Sequence, residues 1–457
     1  MKAIEISGVI TDEKIKAIQS SASCDLFIHD AVCRGPLVLE NYHFRSIRLH
    51  NVKTNDYLLI KNCQIETRVT CSSIKPQTTI SFLDSDIGGD LIFHDILSGQ
   101  SLELHTITVG GSLTLDQAIF SCITIHKCRM REFSLLPVER QNKIGSIRLA
   151  SSEIQSDTTF SGLDNVHELK IENSFLHGLK IVKSTLQDAV VCIEETRLGT
   201  LRLSGVILQG TTKLRMASTD IEMLFMELAA SEQATVDCVT SIVSKSASFQ
   251  VSMRDDSRID ISSSDFAQLR LHHDLARSSL DYPNSPLFHP EDSIQCIATI
   301  KLIKEMYFKE HDYWTEDRFF YLLKTVEQKA LVDEFLQSGN IKHLFLWLLY
   351  IMFRFIFGWG VDLFNPLAAM AVLMICFSGL YEWAAYVSHH PMLLHIMHTQ
   401  YSGFFAALIL SIAALLNLDP LEATLGSLGP LLYFSEFFFG LLMVTLIIGI
   451  IIRKLVR

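Results

Sequence analysis

The clearest sign of chemistry in this chain is an ionisable side chain inside a long apolar segment. Glu436 lies in the run from Gly429 to Ile452, which carries no other charged residue. A carboxyl group inside a segment of membrane length is costly and is a functional hypothesis by default. Two further carboxylates, Asp419 and Glu422, come shortly before this run. These three acids are therefore the first candidate site residues.

Metal binding has two candidate groups. Cys122, His126 and Cys128 combine thiols with an imidazole, but no second Cys-x-x-Cys-like half accompanies them, so reduced core cysteines are the favoured interpretation. The histidines of the loop from Ser388 to Gln400 offer metal ligands or a pH sensor, with an ordinary polar loop as the favoured alternative. These histidines are His389, His390, His395 and His398. We expect no metal and no cofactor.

Composition excludes several classes of protein. Hydrophobic residues make up 49% of the 457 residues, charged residues 19%, and the mean hydropathy is +0.28, too apolar for a wholly soluble protein. The net charge of -11 argues against a nucleic-acid partner. No paired carboxylates, nucleophile–base pair or phosphate-binding glycine loop stands out, so we do not expect an enzyme. The start, MKAIEISGVITDEKIK, has no apolar signal region, which predicts a cytosolic N-terminal part.

The first 270 residues contain a repeat of apolar-x-apolar triplets, which start 10 or 11 residues apart almost throughout. Examples are Leu91/Phe93, Leu113/Leu115, Val190/Cys192 and Met223/Phe225. Alternation within each triplet is typical of a strand, and the even spacing favours a solenoid over a sandwich or barrel. We therefore predict a mainly β, right-handed solenoid over residues 24–280, with about 11 coils of roughly 21–22 residues. Residues 1–23, with a short helix from Thr11, would form its N-terminal cap.

Polar residues follow many triplets at matching places. Asn41, Asn51 and Asn62 are the first, and Asp84, Asp116 and His126 come later. They form either a ladder of ligands or turn residues at the coil corners, and the second interpretation is favoured. The pieces GGDLIF (88–93) and GGSLTLDQA (110–118) resemble the degenerate pentapeptide-like, right-handed β-helix repeats of bacteria. The resemblance covers roughly residues 24–275 and implies a fold without implying a function.

Helical spacing replaces the repeat after the proline-containing segment 281–292. Residues 291–340 should form a helical neck that ends at Gly339 as a C-cap. Residues 341–360 should form an interfacial helix, since the apolar run there is short and contains Arg354.

A transmembrane domain is predicted over residues 361–457. It has spans at 366–387 and 429–452, which are separated by a half-length apolar helix at 403–416 and a loop at 417–422. The basic residues after position 340 lie before the first span or after the second, namely Lys342, Arg354, Arg453, Lys454 and Arg457. The positive-inside rule therefore puts the N-terminal domain and the C-terminus in the cytoplasm, with the His-bearing loop outside.

A span, a half-length helix and a second span resemble the pore module of two-span, potassium-channel-like ion channels. The stretch LNLDP (416–420) sits where such channels place Gly-Tyr-Gly-Asp, and residues 429–455 resemble their inner helix, with Glu436 near its start and Gly440 as a hinge glycine. The upstream segment 307–331 and FIFGWGVDLFNPL (355–367) resemble the neck and entry of bacterial β-helix proteins with a two-span channel. The resemblance covers about residues 293–457 and implies a homo-oligomer, with a tetramer as the expected state.

The resemblance assigns Asn417, Leu418, Asp419 and Glu422 to the pore and filter. Potassium filters use stacked backbone carbonyls, and Leu416 and Leu418 replace the glycines that this backbone requires. A ring of Asp419 and Glu422 would concentrate cations at the mouth. The alternative is that Asp419 caps a turn and that Glu422 is merely exposed. Glu436 would either brace the filter loop or face the pore.

The sequence thus predicts an oligomeric channel of the bacterial inner membrane, non-potassium or weakly cation-selective. The solenoid would act as a cytosolic sensor for an unknown ligand or protein, and the partners would be the lipid bilayer, other copies of the chain and permeant ions. By analogy, such a protein suits a membrane-depolarising effector, for example in antiviral defence. The alternative is a non-conducting membrane anchor that carries a solenoid binding scaffold.

Overall fold

A computed structural model describes most of the chain. The described residues are 3–11, 14, 24–76, 79–136, 144–164, 166–231, 233–253, 257–261, 264–272, 275, 280, 293–360, 363–388, 393–396, 399–416, 422–424 and 429–456. The chain divides into two compact units, Met1–Thr299 and Ile300–Arg457.

The first unit is a parallel β-solenoid of about 11 turns, as the repeat predicts. Each strand pairs with a strand roughly one coil further along the chain, for example Leu91 with Leu113 and Leu169 with Val191. The strands are Ala3–Ile10, Cys24–Cys33, Leu37–Glu40, His43–Thr54, Leu58–Lys61, Gln64–Ser72, Lys75–Pro76, Thr79–Leu83, Asp86–Ile87, Leu91–His105, Thr108–His126, Arg129–Leu135, Ser146–Ala150, Glu153–Ser161, Glu168–Glu172, Phe175–Val182, Thr185–Gln187, Val190–Glu194, Arg197–Gln209, Lys213–Ala217, Asp220–Ala230, Thr235–Val239, Ile242–Met253, Arg258–Asp260, Asp265–Phe266 and Leu269–Leu271.

The core of the solenoid is the stack of inward-pointing triplet residues. Leu91, Phe93, Leu113 and Leu115 are fully buried, as predicted. Two triplets were assigned one residue too early. In the first, Val191 and Ile193 are buried in place of Val190 and Cys192. In the second, Leu224 and Met226 are buried in place of Met223 and Phe225. A shift of one residue reverses which face of a strand a side chain occupies, and both stretches carry apolar residues on each face.

The coil corners are built from residues in the left-handed region. Asn41, Asn51, Asn62 and Asp84 have φ values of 62°, 49°, 50° and 48°, a conformation that Asn and Asp tolerate better than most residues. The amide of Asn62 donates to Oδ1 of Asn41 at 2.6 Å. These contacts support the interpretation of these residues as turn residues in stacked ladders. Of the later positions, Asp116 and His126 lie inside a strand, one residue before a corner.

Two glycine pairs mark places where successive coils approach each other closely. A β-carbon on Gly89 would lie 1.8 Å from the carbonyl oxygen of Thr67, and one on Gly110 would lie 2.4 Å from that of Gly88. Only glycine fits such an approach. The GGDLIF and GGSLTLDQA pieces therefore owe their glycines to coil stacking.

The ten cysteines all lie in the described part of the chain and are free thiols. Seven of them are buried, and burial raises the pKa of Cys33 and Cys128 to about 11. The Sγ of Cys128 donates to the carbonyl of Leu104, whereas Cys122 interacts with Ser146. These contacts confirm the interpretation of Cys128 as a core cysteine.

The first strand lies at one end of the solenoid and pairs in parallel with the strand Cys24–Cys33. The ammonium group of Lys14 donates to the carbonyls of Ser7 and Val9 in this first strand, at 3.2 and 2.9 Å. Apart from Thr11 and Lys14, the predicted capping helix lies outside the described residues.

Six helices follow the solenoid in the described part of the chain. They are α1 (Ser293–Lys309), α2 (Tyr313–Ser338), α3 (Ile341–Phe357), α4 (Phe364–Val387), α5 (Gly403–Leu415) and α6 (Gly429–Val456), with a 3-10 turn at Gly358–Gly360. Gly339 ends α2 with φ 64° and donates its N–H to Phe335, which confirms the predicted C-cap. The helices α4 and α6 are long and apolar enough to cross a membrane, and α5 is a shorter apolar helix.

A small antiparallel sheet joins the segments on either side of α5. The strand Leu393–Ile396 pairs with Thr399–Ser402 and with Glu422–Thr424. In this register His395 lies opposite Glu422. The sequence did not predict this sheet, because each of its strands is only three or four residues long.

Candidate functional site

Some of the predicted site residues lie in the described part of the chain, and others lie outside it. Glu436 and Gly440 lie on α6, one helical turn apart. Glu422 begins the strand Glu422–Thr424. Asn417, Leu418 and Asp419 lie outside the described residues, as do His389, His390 and His398.

The helix α5 packs between α4 and α6 through small side chains. Ala406 and Ala407 are fully buried against Phe377 and Tyr381 of α4, and Leu410 completes this cluster. A second cluster joins the last residue of α5, Leu415, to Met370 of α4 and Met443 of α6. Small residues let helix backbones approach closely where the surroundings are apolar.

The last turn of α5 lies against the middle of α6. A β-carbon on Gly440 would be 2.3 Å from the carbonyl oxygen of Leu415 and 2.7 Å from its Cα. Gly440 is therefore required for close packing of the two helices. Its predicted role as a hinge is not tested by this contact and stays a prediction.

Glu436 is fully buried and contacts both other helices of this domain. Its Oε1 atom accepts a hydrogen bond from the hydroxyl of Ser411, which is also fully buried. The Ser411 oxygen lies 3.1 Å from the carbonyl oxygen of Met374 on α4. Ser378 donates to the same carbonyl at 2.6 Å, a bond between a serine and the backbone one turn earlier in its own helix.

Tyr381 completes this group of polar side chains. It is only 1% exposed, and its phenol lies beside the carboxyl group of Glu436. We name Glu436, Ser411 and Tyr381 the Glu436 cluster. The cluster joins one residue from each of α6, α5 and α4.

Sequence reasoning found Glu436 and missed its two partners. One signal was available, since Ser411 is the only polar side chain in the sequence of α5, GFFAALILSIAAL. No comparable signal marks Tyr381, because tyrosine is common near the ends of membrane spans.

The side chains of the Glu436 cluster are suited to holding three helices together by hydrogen bonds. It contains one carboxyl group and two hydroxyls, and no Lys or Arg occurs in the sequence between Phe355 and Ile452. Among the described residues, no group of three or more His, Cys, Asp and Glu side chains is placed to hold a metal ion. Hydrogen bonds between buried polar groups fix the relative position of the helices that carry them.

The neck has a polar contact line of its own between α2 and α3. His343 lies 2.8 Å from Glu334. The hydroxyl of Tyr350 donates to Glu327 at 3.1 Å, and Arg354 donates to the hydroxyl of Tyr321 at 3.2 Å. The opposite side of α3 exposes large apolar residues at heptad spacing, namely Ile341, Phe345, Leu348, Met352 and Phe355. Such a pattern is typical of interfacial helices, and the interfacial position of α3 stays a prediction.

The chain matches no protein-family model, no curated protein and no solved structure. The β-solenoid and the two long apolar helices therefore stand on the structure alone, and the resemblance to pentapeptide-like repeats and to two-span channels stays a prediction.

Proposed function

We propose that this chain is the subunit of an oligomeric, channel-like membrane protein with a solenoid regulatory domain. The observation that carries the proposal is the path of the chain around α5. This half-length helix packs between two helices of membrane length and ends against Gly440, in the middle of α6. If α4 and α6 span the bilayer, α5 ends at membrane depth. The next described strand, Glu422–Thr424, pairs with the strand Leu393–Ile396, which precedes α5, and this pairing fits a re-entrant pore loop.

Exposure of α5 supports an oligomer. Phe405 is 72% exposed and Leu416 is 50% exposed in the single chain. Irregular backbone at membrane depth is tolerated only where protein or a water-filled cavity surrounds it. A second copy of the chain would supply that cover, and we propose a homotetramer.

Selectivity follows from the residues around the turn. Leu416 and Leu418 stand where a potassium filter needs glycine, so we propose a non-potassium or weakly cation-selective pore. Asp419 and Glu422 would line its mouth. The distribution of basic residues favours an orientation with the solenoid and the C-terminus in the cytoplasm, in the inner membrane of a bacterium.

We assign the solenoid a regulatory role. Its exposed side chains offer a large surface to a cytosolic ligand or protein, and binding there would control opening. A channel held closed until such binding would suit a membrane-depolarising effector in antiviral defence, an inference from architecture alone.

A second candidate function is a non-conducting anchor that holds the solenoid as a binding scaffold at the membrane. The observation that favours it is the loss of the filter glycines at Leu416 and Leu418.

Reconstitution of the full chain into liposomes with a potential-sensitive dye tests both candidates. Gradients of potassium, sodium and chloride are imposed in turn. Dissipation of a cation gradient, altered by D419N combined with E422Q and unaltered by the control E382Q, would support the channel. A reconstituted oligomer that stays silent in every gradient and at both signs of potential would favour the anchor.

A further inference from the structure

The two oxygens of the Glu436 carboxyl group have different surroundings. Oε1 is hydrogen-bonded to Ser411. Oε2 is buried without a hydrogen bond of good geometry to any residue that the structure describes, and the same holds for the hydroxyl of Tyr381, which lies beside this carboxyl group. Buried polar atoms without partners are rare and call for a ligand or a proton that satisfies them.

A negative charge at this place would have no counter-charge among the described residues. The sequence has no Lys or Arg from Phe355 to Ile452, and its histidines in this region lie between positions 389 and 398, after the last residue of α4 and before the first of α5. Among the described residues, the other ionisable side chain that interacts with the cluster is Tyr433, and Glu382 follows Tyr381 in the sequence. Neither supplies a positive charge. A buried carboxylate without a cation is strongly disfavoured, whereas a neutral acid with hydrogen bonds is not.

The hydrogen bonds can be counted proton by proton. Ser411 has one hydroxyl proton, yet its oxygen lies within hydrogen-bonding distance of two oxygens, Glu436 Oε1 and the Met374 carbonyl. A proton on Glu436 supplies the missing donor. With this proton on Oε1, the bond between Glu436 and Ser411 reverses its direction. The acid donates to Ser411, Ser411 donates to Met374, and Tyr381 is free to donate to the other carboxyl oxygen.

We propose that the Glu436 cluster is a proton-binding site, in which Glu436 is a neutral carboxylic acid that holds α5 between α4 and α6. The proton is a structural ligand here, and Ser411 and Tyr381 are positioning residues. The inference rests on the burial and the contacts of the cluster, and it holds whether the assembled protein conducts ions or serves as an anchor.

Infrared difference spectroscopy of the purified full chain in lipid nanodiscs at neutral pH tests this directly. Wild type minus E436Q should contain the carbonyl stretch of one protonated carboxylic acid. Wild type minus the control E382Q, which changes an exposed acid next to Tyr381 on α4, should lack this band. Carboxylate stretches in the E436Q difference spectrum would overturn the proposal, and their shift on exchanging sodium for another monovalent ion would identify a bound cation.

The variants S411A and Y381F keep the proposal testable if E436Q does not fold. Each removes one hydrogen-bond partner of the acid, so each should shift the frequency of the acid band without abolishing it.

The stability of E436Q offers a second measurement. Because its side chain is a neutral amide of the same shape, the free energy of unfolding of E436Q in detergent should be close to that of wild type and far above that of E436K. Equal destabilisation by E436Q and E436K would contradict a neutral acid.

Discussion

Gly440 of α6 and Leu415 of α5 touch through their backbones, and this contact sets the distance between the two helices. Glu436 and Ser411 meet one turn earlier on the same two helices. Because the backbone contact and the hydrogen bond lie one turn apart, together they fix the position of α5 along the axis of α6 and its rotation about its own axis.

Replacing Gly440 by alanine should weaken the membrane domain. The added β-carbon would lie 2.3 Å from the Leu415 carbonyl oxygen, so the helices must separate. Overpacking of this kind costs about 1–3 kcal/mol, measured as the free energy of unfolding in detergent micelles. The matched control is Gly449→Ala, on the same helix with nothing within 4 Å of the added carbon. Equal effects of the two variants would contradict the close contact.

The solenoid should be equally intolerant of a side chain at Gly89. A β-carbon there would lie 1.8 Å from the carbonyl oxygen of Thr67 on the preceding coil. Gly89→Ala should therefore lower the free energy of unfolding by at least about 1–3 kcal/mol, followed by circular dichroism in the strand region. Gly35→Ala, where the new carbon meets nothing within 4 Å, serves as the control. Coils that stack without this close approach would leave Gly89→Ala as stable as Gly35→Ala.

A β-branched residue at a coil corner should destabilise the solenoid. Asn62 has φ 50° and bonds Asn41 on the neighbouring coil. Asn62→Val should cost roughly 1–2 kcal/mol for the left-handed backbone and about 0.5–1.5 kcal/mol for the hydrogen bond. Asn62→Gly keeps the backbone conformation and loses only the hydrogen bond. Its free energy of unfolding, measured by chemical denaturation, should therefore lie between those of Asn62→Val and wild type. A glycine variant less stable than the valine variant would refute the corner conformation.

The stabilisation that His29 gives to the first coils should decrease as the pH rises. Hydrogen bonds to Asp30 and then to Glu5 raise the pKa of the half-buried imidazole of His29 above its ordinary value of 6.5. A histidine whose pKa is higher in the folded than in the unfolded state stabilises the fold. This stabilisation is fully present below about pH 6.5 and is lost as the pH rises through the folded-state pKa. The unfolding free energy of wild type relative to His29→Gln should fall over this range.

Two controls accompany the histidine prediction. Glu5→Gln removes one partner and should bring the pKa of His29, measured by NMR titration, back toward 6.5. Asp30→Asn removes the other partner and should likewise lower the pKa of His29 toward 6.5. A His29 that titrates below 6.5 in wild type would exclude both contacts.

The sequence predicts the solenoid and the helices well, because each rests on a pattern repeated many times or on a long apolar run. The triplet spacing locates the strands, and the runs at 366–387 and 429–452 locate α4 and α6 within a few residues. The pattern fails where it is locally ambiguous. At Val190 and Met223 apolar residues occupy both faces of the strand, and only the pairing with neighbouring coils decides which points inward.

The site is predictable only in part. Glu436 stands out because it is the one charge in an apolar run, but its partners Ser411 and Tyr381 come from other helices, and tertiary packing brings them together. The register of His395 with Glu422 depends on three short strands with no signal of their own. Spacing along one chain carries no information on such contacts.

The contact of Lys14 with Ser7 and Val9 bears on the fate of the protein at high concentration. A stack of parallel strands ends in backbone groups that can template a further strand, which is the way in which amyloid fibrils grow. The ammonium group of Lys14 donates hydrogen bonds to two carbonyl oxygens of the first strand, and desolvating this charged group is costly. Without this lysine, the two carbonyls would lose the charged partner that the described residues give them, and the first strand would be a better template for a strand of a neighbouring molecule.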